Sequence, residues 1–347
     1  LDHTANYEYL PLEGESGIRK DDDDYVHLVV VGMTRMGTAL ATQAALMAHY
    51  PNFVTKGKRT KITLIDENAD KEKNFYIDRY DRLFALSNWS YKEMVRSESG
   101  ADKLETVFTH TPVEHDYLGG DFLDVEWEFI QGTVAQLKLQ KYIEECAIKS
   151  RKMTIAICKD EPSRCLAAAL NLEWRIYENV LQVLVYNRYD DALVEQLHFK
   201  NKPKFKLSDG NELMEKESKQ NTRRNIISPF GNKLKAFGMA SECYCEEILR
   251  DSERLVGEFE NVYSGGKRRE PQKLTDYWSN VYASNTMWTK FRCVELKSGA
   301  ISSEDIGILA KVEHNRWVIE KLIMSYRHLS KEEHEKAKQC SLKHEVY

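Results

Sequence analysis

Apolar and polar positions follow two rhythms along this chain, and the change falls near residue 233. In the first part, short β-branched runs recur, each followed by a helix-prone stretch. YVHLVVV, residues 25–31, places Val26, Leu28, Val29, Val30 and Val31 in the near-continuous apolar run of a strand buried on both faces. KITLID then ends on Asp66, and MTIAIC (153–158) and LQVLVYN (181–187) are further short strands. FLDVEWEFIQG alternates Leu123, Val125, Trp127 and Phe129 with Asp124, Glu126 and Glu128, which predicts a half-exposed strand. NIISPFG, 225–231, supplies the expected last strand. Between these runs, TALATQAALMAHY, QLKLQKYIEECAIKS and EPSRCLAAALNLEWRIYE read as helices, with PNFVTKGKRTK a basic, turn-rich link. Repeated alternation of this kind implies a parallel sheet.

Three stretches fall outside that rhythm. Residues 1–24 read as a polar, solvated lead-in. Asp70 to Ser99, rich in aromatic and charged residues, reads as a helical insertion. From residue 233 to 347 helical periodicity takes over, with SGGKRREP (264–271) as a flexible joint. Ser302 with Asp305 three residues on is a loose capping box, and Glu304 and Asp305 suit the positive end of a helix dipole. A helix is expected to start there.

Composition narrows the function. With 55 acidic and 50 basic residues the formal net charge is -5, which lacks the strongly basic balance of a nucleic-acid binder. No apolar run approaches the roughly 18 residues of a membrane span, and no secretory signal opens the sequence. Seven cysteines show no C-x-x-C pair, and Cys243 and Cys245 lack the spacing of a zinc site. Reduced thiols, a cytoplasmic setting and no metal are expected. The sequence opens at Leu1 without an initiator methionine and reads as a fragment of a longer protein.

The chemistry concentrates where the first strand ends. Gly32-Met33-Thr34-Arg35-Met36-Gly37 has the spacing G-x-T-x-x-G between a strand and a helix, the setting in which backbone amides cradle phosphates. Asp66, with Glu67 beside it, sits at the tip of the second strand, where an acidic residue takes ribose hydroxyls. Lys159 and Asp160 follow another strand, at its carboxyl end, where open α/β folds bind ligands. Thr34 stands where a second glycine would let the backbone approach a pyrophosphate. Its branched Cβ would push phosphates outward, or its hydroxyl would serve as a donor. A catalytic partner is missing: there is no G-x-x-x-x-G-K-[ST], H-E-x-x-H or G-x-S-x-G, and no convincing Tyr-x-x-x-Lys pair. A non-enzymatic ligand sensor is the stronger reading, and an NAD-dependent oxidoreductase the weaker one.

Two resemblances add to this. The glycine turn, the Asp66 strand tip and TIAICKDEPSRCLAAAL, within residues 25–232, resemble the TrkA-N or RCK type of nucleotide-sensing module. That resemblance implies a Rossmann-like, doubly wound, mostly parallel α/β sheet, with NAD or another adenine nucleotide as ligand and a homodimer or higher oligomer as assembly. It also implies regulation of a potassium-type channel or transporter, with membrane helices supplied by a missing N-terminal segment. A soluble nucleotide sensor of a bacterial stress or defence system is the alternative. LAKVEHNRW (309–317), with Glu320-Lys321-Leu322 and Ser284-Asn285, resembles the RyR domain, implying a smaller all-α domain over 233–347. In it Glu313, Arg316, Trp317 and Glu320 share one helix face, with His314 adjacent. They form either a buried aromatic and ion-pair support, or a ligand pocket in which Trp317 stacks and Arg316 clamps an anion.

Overall fold

The β-branched runs assemble into one eight-stranded sheet in a computed structural model of the chain. The strands are β1 (Tyr25–Val31), β2 (Thr60–Asp66), β3 (Trp89–Arg96), β4 (Asp102–His110), β5 (Val125–Gln131), β6 (Arg151–Ile157), β7 (Gln182–Tyr186) and β8 (Leu234–Phe237). The order is β4-β3-β5-β2-β1-β6-β7-β8, and only the β3–β4 pairing is antiparallel. The structure describes residues 9–96, 102–112, 122–189, 233–239, 254–262 (without 255 and 259), 274–295 and 300–336 (without 328, 331 and 334). The expected strand at 225–231, Cys243, Cys245 and the joint at 264–271 lie outside them.

Helices cover both faces. They are α1 (Arg35–Met47), α2 (Pro51–Lys56), α3 (Ala69–Arg79), α4 (Asp81–Leu86), α5 (Leu137–Ser150), α6 (Pro162–Leu170), α7 (Trp174–Asn179), α8 (Leu274–Asn285), α9 (Met287–Arg292) and α10 (Ser303–Ile323). Because strand side chains alternate, Leu28 and Val30 face α1, α3 and α4, while Val29 and Val31 face α5, α6 and α7. Ile319 and Leu322 of α10 belong to the first of these cores. The C-terminal helical region therefore packs directly on the α/β layers. Its α10 starts as expected, with the Ser302 hydroxyl accepting from the Asp305 amide at 3.1 Å. No described helix is long and apolar enough to cross a membrane.

Several expectations need correction. The stretch 70–99 is helical only through Leu86; Trp89–Arg96 is strand β3, paired with an edge strand, β4, that has no clear pattern in the sequence. An edge strand exposed along most of its length carries little hydrophobic alternation to read. The sheet also reaches past residue 232, through β8. Residues 51–56 of the basic link form a helix with proline at its first position. The lead-in is no solvated tail from residue 9 onward. Glu13 is buried and takes Arg292 of α9 at 2.6 Å and Tyr50 at 3.1 Å. Ile18 packs with Val26, Ala48, Tyr50 and Cys293, and Lys20 pairs with Glu304 and Asp305 at the start of α10. This segment straps the C-terminal helices to the sheet.

On β5 Glu126 is partly exposed, as the alternation predicts, but Glu128 is buried. β5 is the third strand from the β4 edge and lies beneath α5, so Glu128, 2% exposed, cannot reach bulk water. It accepts instead from Tyr142 at 2.6 Å, Lys92 at 2.7 Å, Thr63 at 3.0 Å and Lys61 at 3.1 Å. Burial opposes its charge, but the two ammonium groups and these hydrogen bonds outweigh that and hold its pKa down at about 2. Thr63 has one proton and gives it to Glu128, so its oxygen accepts from His27 Nε2 at 2.8 Å. That places the His27 proton on Nε2 and leaves Nδ1 bare, buried and without a hydrogen-bond partner among the described residues.

Candidate functional site

The turn after β1 is built on close backbone approach. Gly32 adopts φ +104°, its amide donates to the Ile65 carbonyl at 2.8 Å, and a Cβ there would stand 2.6 Å from the Cys158 carbonyl oxygen. At Gly37 a Cβ would overlap the Gly32 carbonyl oxygen, so α1 can pass this near the turn only with glycine at that position. Thr34 between them is the N-cap of α1. Its hydroxyl accepts from the Gly37 amide at 3.3 Å and donates to the Cys158 carbonyl at 2.6 Å. The single hydroxyl proton is thereby engaged by the Cys158 carbonyl. Met36 packs back against the core and leaves only its backbone to the turn.

Asp66 lies at the floor of the same loop cluster. One carboxylate oxygen accepts from the Met33 amide and the other from the Asn68 amide, each at 2.8 Å. Glu67 turns away to pair with Lys159 across 3.2 Å. The Lys159 amide meets Cys165 Sγ at 3.1 Å, which holds this loop against α6.

A cleft of about 410 Å³ opens beside the turn. Met33, Thr34, Arg35 and Thr38 line one wall, Asp66 and Asn68 the floor, and Asp160 one edge. The opposite wall is one face of α3: Glu72, Phe75, Tyr76 and Arg79, at spacings of three, four and seven. Tyr76 is fixed by edge-on packing on Phe84 and Trp127 and by a 2.8 Å contact with the Thr42 hydroxyl. Phe75 leaves 61% of its surface exposed. Arg35, Arg79 and the amino end of α1 supply positive potential, and Asp66, Glu72 and Asp160 supply carboxylates. The α3 wall was missed in the sequence because the stretch read as a generic insertion; its helical spacing was the available signal.

Among the described residues the cleft lining holds no serine, cysteine, histidine or lysine. Burial pushes the nearby Cys158 thiol well up and the Cys165 thiol up to about 11, so neither is a thiolate nucleophile at neutral pH.

The second predicted cluster comes together differently. Arg316 is 1% exposed and donates to Glu313 at 2.8 Å and Glu320 at 2.7 Å. Lys290 of α9 also pairs with Glu313, and Ser279 of α8 donates to Glu320 at 3.1 Å. Carboxylates occupy the guanidinium, so it is not an open anion clamp, and the cluster joins α8, α9 and α10. His314 stacks on Trp317 at 6.0 Å, and Lys321 lies 5.6 Å over the Trp317 ring. Ser284 is buried with its hydroxyl on the Val281 carbonyl, and Asn285 ends α8. Among the described residues no group of acidic, histidine and cysteine side chains could hold a metal ion. Comparisons with protein-family models, curated proteins and solved structures found no match to this chain.

Proposed function

We propose that the α/β part binds a nucleotide as a regulatory ligand, phosphates at the amino end of α1 and ribose over Asp66. One observation carries this: the cleft lies at the carboxyl edge of a parallel sheet, where the α1 terminus, Asp66 and the Phe75 face of α3 converge. Phe75 offers an exposed ring for the base to stack on. Support for a sensing role comes from the shared core of α1 and α10, since a ligand that orders the start of α1 acts on the element against which the C-terminal helices pack. On the TrkA-N resemblance, the wider reading is the ligand-sensing part of a cation channel or transporter system.

A thermal-shift screen with AMP, ADP, ATP, NAD, NADH and cyclic dinucleotides tests the binding claim. A ligand at about one hundred times its dissociation constant stabilises the folded state by about 2.7 kcal/mol. The shift is expected to disappear in Arg35→Glu, which reverses the charge beside the phosphate position. A midpoint unmoved by every one of these ligands refutes the claim.

A further inference from the structure

We infer that this cleft takes a single nucleotide and rejects a dinucleotide, and that Thr34 sets the selectivity. The inference rests on the nucleotide reading above. In open parallel sheets a dinucleotide lies across the point where the strand order reverses, with one half on each side. That point here is between β1 and β6.

Two contacts cross it, and the hydrogen bond of Thr34 is the tighter. The Thr34 hydroxyl donates to the Cys158 carbonyl at 2.6 Å and joins the β1 turn to the end of β6. Lys159 also pairs with Glu67 at 3.2 Å; because β2 and β6 flank β1, this solvent-exposed ion pair crosses the end of β1. The cleft accordingly takes its described lining from the turn, the β2 tip and α3, with Asp160 alone from the β6 side. Asp160 adds a negative charge at that closed edge, against any second phosphate that would cross it. A glycine at residue 34 would have no hydroxyl to form the bridge and no Cβ where backbone meets pyrophosphate. The residues thus suit one half of an NAD-like ligand and do not suit the other.

Isothermal titration of ADP, GDP and NAD into the wild-type chain, Thr34→Gly and Thr34→Ser tests this. Glycine is tolerated at a helix cap, and the serine variant keeps the bridging hydroxyl. The wild type is expected to bind ADP or GDP at least tenfold more tightly than NAD, and Thr34→Ser to keep that ratio. In Thr34→Gly the ratio should narrow by tenfold or more. NAD binding to the wild type as tightly as ADP or GDP overturns the inference and leaves the nucleotide reading standing; so does an unchanged ratio in Thr34→Gly. If none of the three binds the wild type, the nucleotide reading fails and the inference falls with it.

Discussion

His27 should make this fold acid-sensitive well above the range in which carboxylates titrate. The imidazole is fully buried on β1, donates through Nε2 to Thr63, and has no acceptor for a proton on Nδ1 among the described residues. Desolvation first, then the Lys61 ammonium, push its pKa from 6.5 down to about 3; Glu128 pulls the other way, and Lys92 adds a smaller downward push. Between those values the unfolded chain takes up a proton that the folded chain refuses, so stability falls as pH falls. Glu128 stays ionised across pH 5 to 7.5, which leaves the charges around His27 constant in that window. From pH 7.5 to pH 5 the cost through this residue is about 2 kcal/mol. His27→Gln keeps an amide able to donate to Thr63 and removes the titration. Urea unfolding followed by tryptophan fluorescence at several pH values should show the variant below wild type at pH 7.5 and closing on it, or passing it, by pH 5. Parallel pH profiles for the two proteins would refute the reasoning.

Two further substitutions test the polar interior. Glu128→Gln leaves Lys61 and Lys92 without their shared carboxylate and should cost about 3 kcal/mol at neutral pH. Because the folded pKa lies below the unfolded one, that deficit should shrink as pH falls from about 4.5 toward 2, measured by the same denaturation series. Glu13→Ala removes the buried carboxylate that Arg292 and the Tyr50 hydroxyl share beneath the N-terminal strap and should cost about 2 kcal/mol. Hydrogen exchange should then show lost protection in α9 and the first turns of α10; unchanged exchange there would mean that the strap does not hold those helices.

Local pattern was enough for much of the α/β half. Val26 to Val31, Ile62 to Ile65 and Met153 to Ile157 are apolar on both faces apart from His27, Thr63 and Thr154, the pattern of parallel strands covered on both sides. Gly32, Gly37 and Asp66 stood out by spacing and strand-tip position, although part of the geometry they answer to lies far along the chain, at Cys158 for Gly32 and at Met33 for Asp66. The Ser302 cap, a local feature, starts α10 as its spacing predicted.

What the sequence by itself could not determine is everything that depends on which strands become neighbours. The alternation of β5 was visible, yet whether Glu128 faced water or Lys61, Lys92 and Tyr142 depended on the position of β5 in the sheet and on α5 above it. The polar segment at 9–24 became a strap because Arg292, almost 280 residues away, supplies the partner for Glu13. Thr34 shows the division within one residue. Its spacing marked a departure from a glycine fingerprint, but only the pairing of β1 with β6 brought the Cys158 carbonyl within 2.6 Å of its hydroxyl. Side-chain period and turn chemistry are properties of a few consecutive residues, whereas burial and ion pairing are properties of the packed sheet.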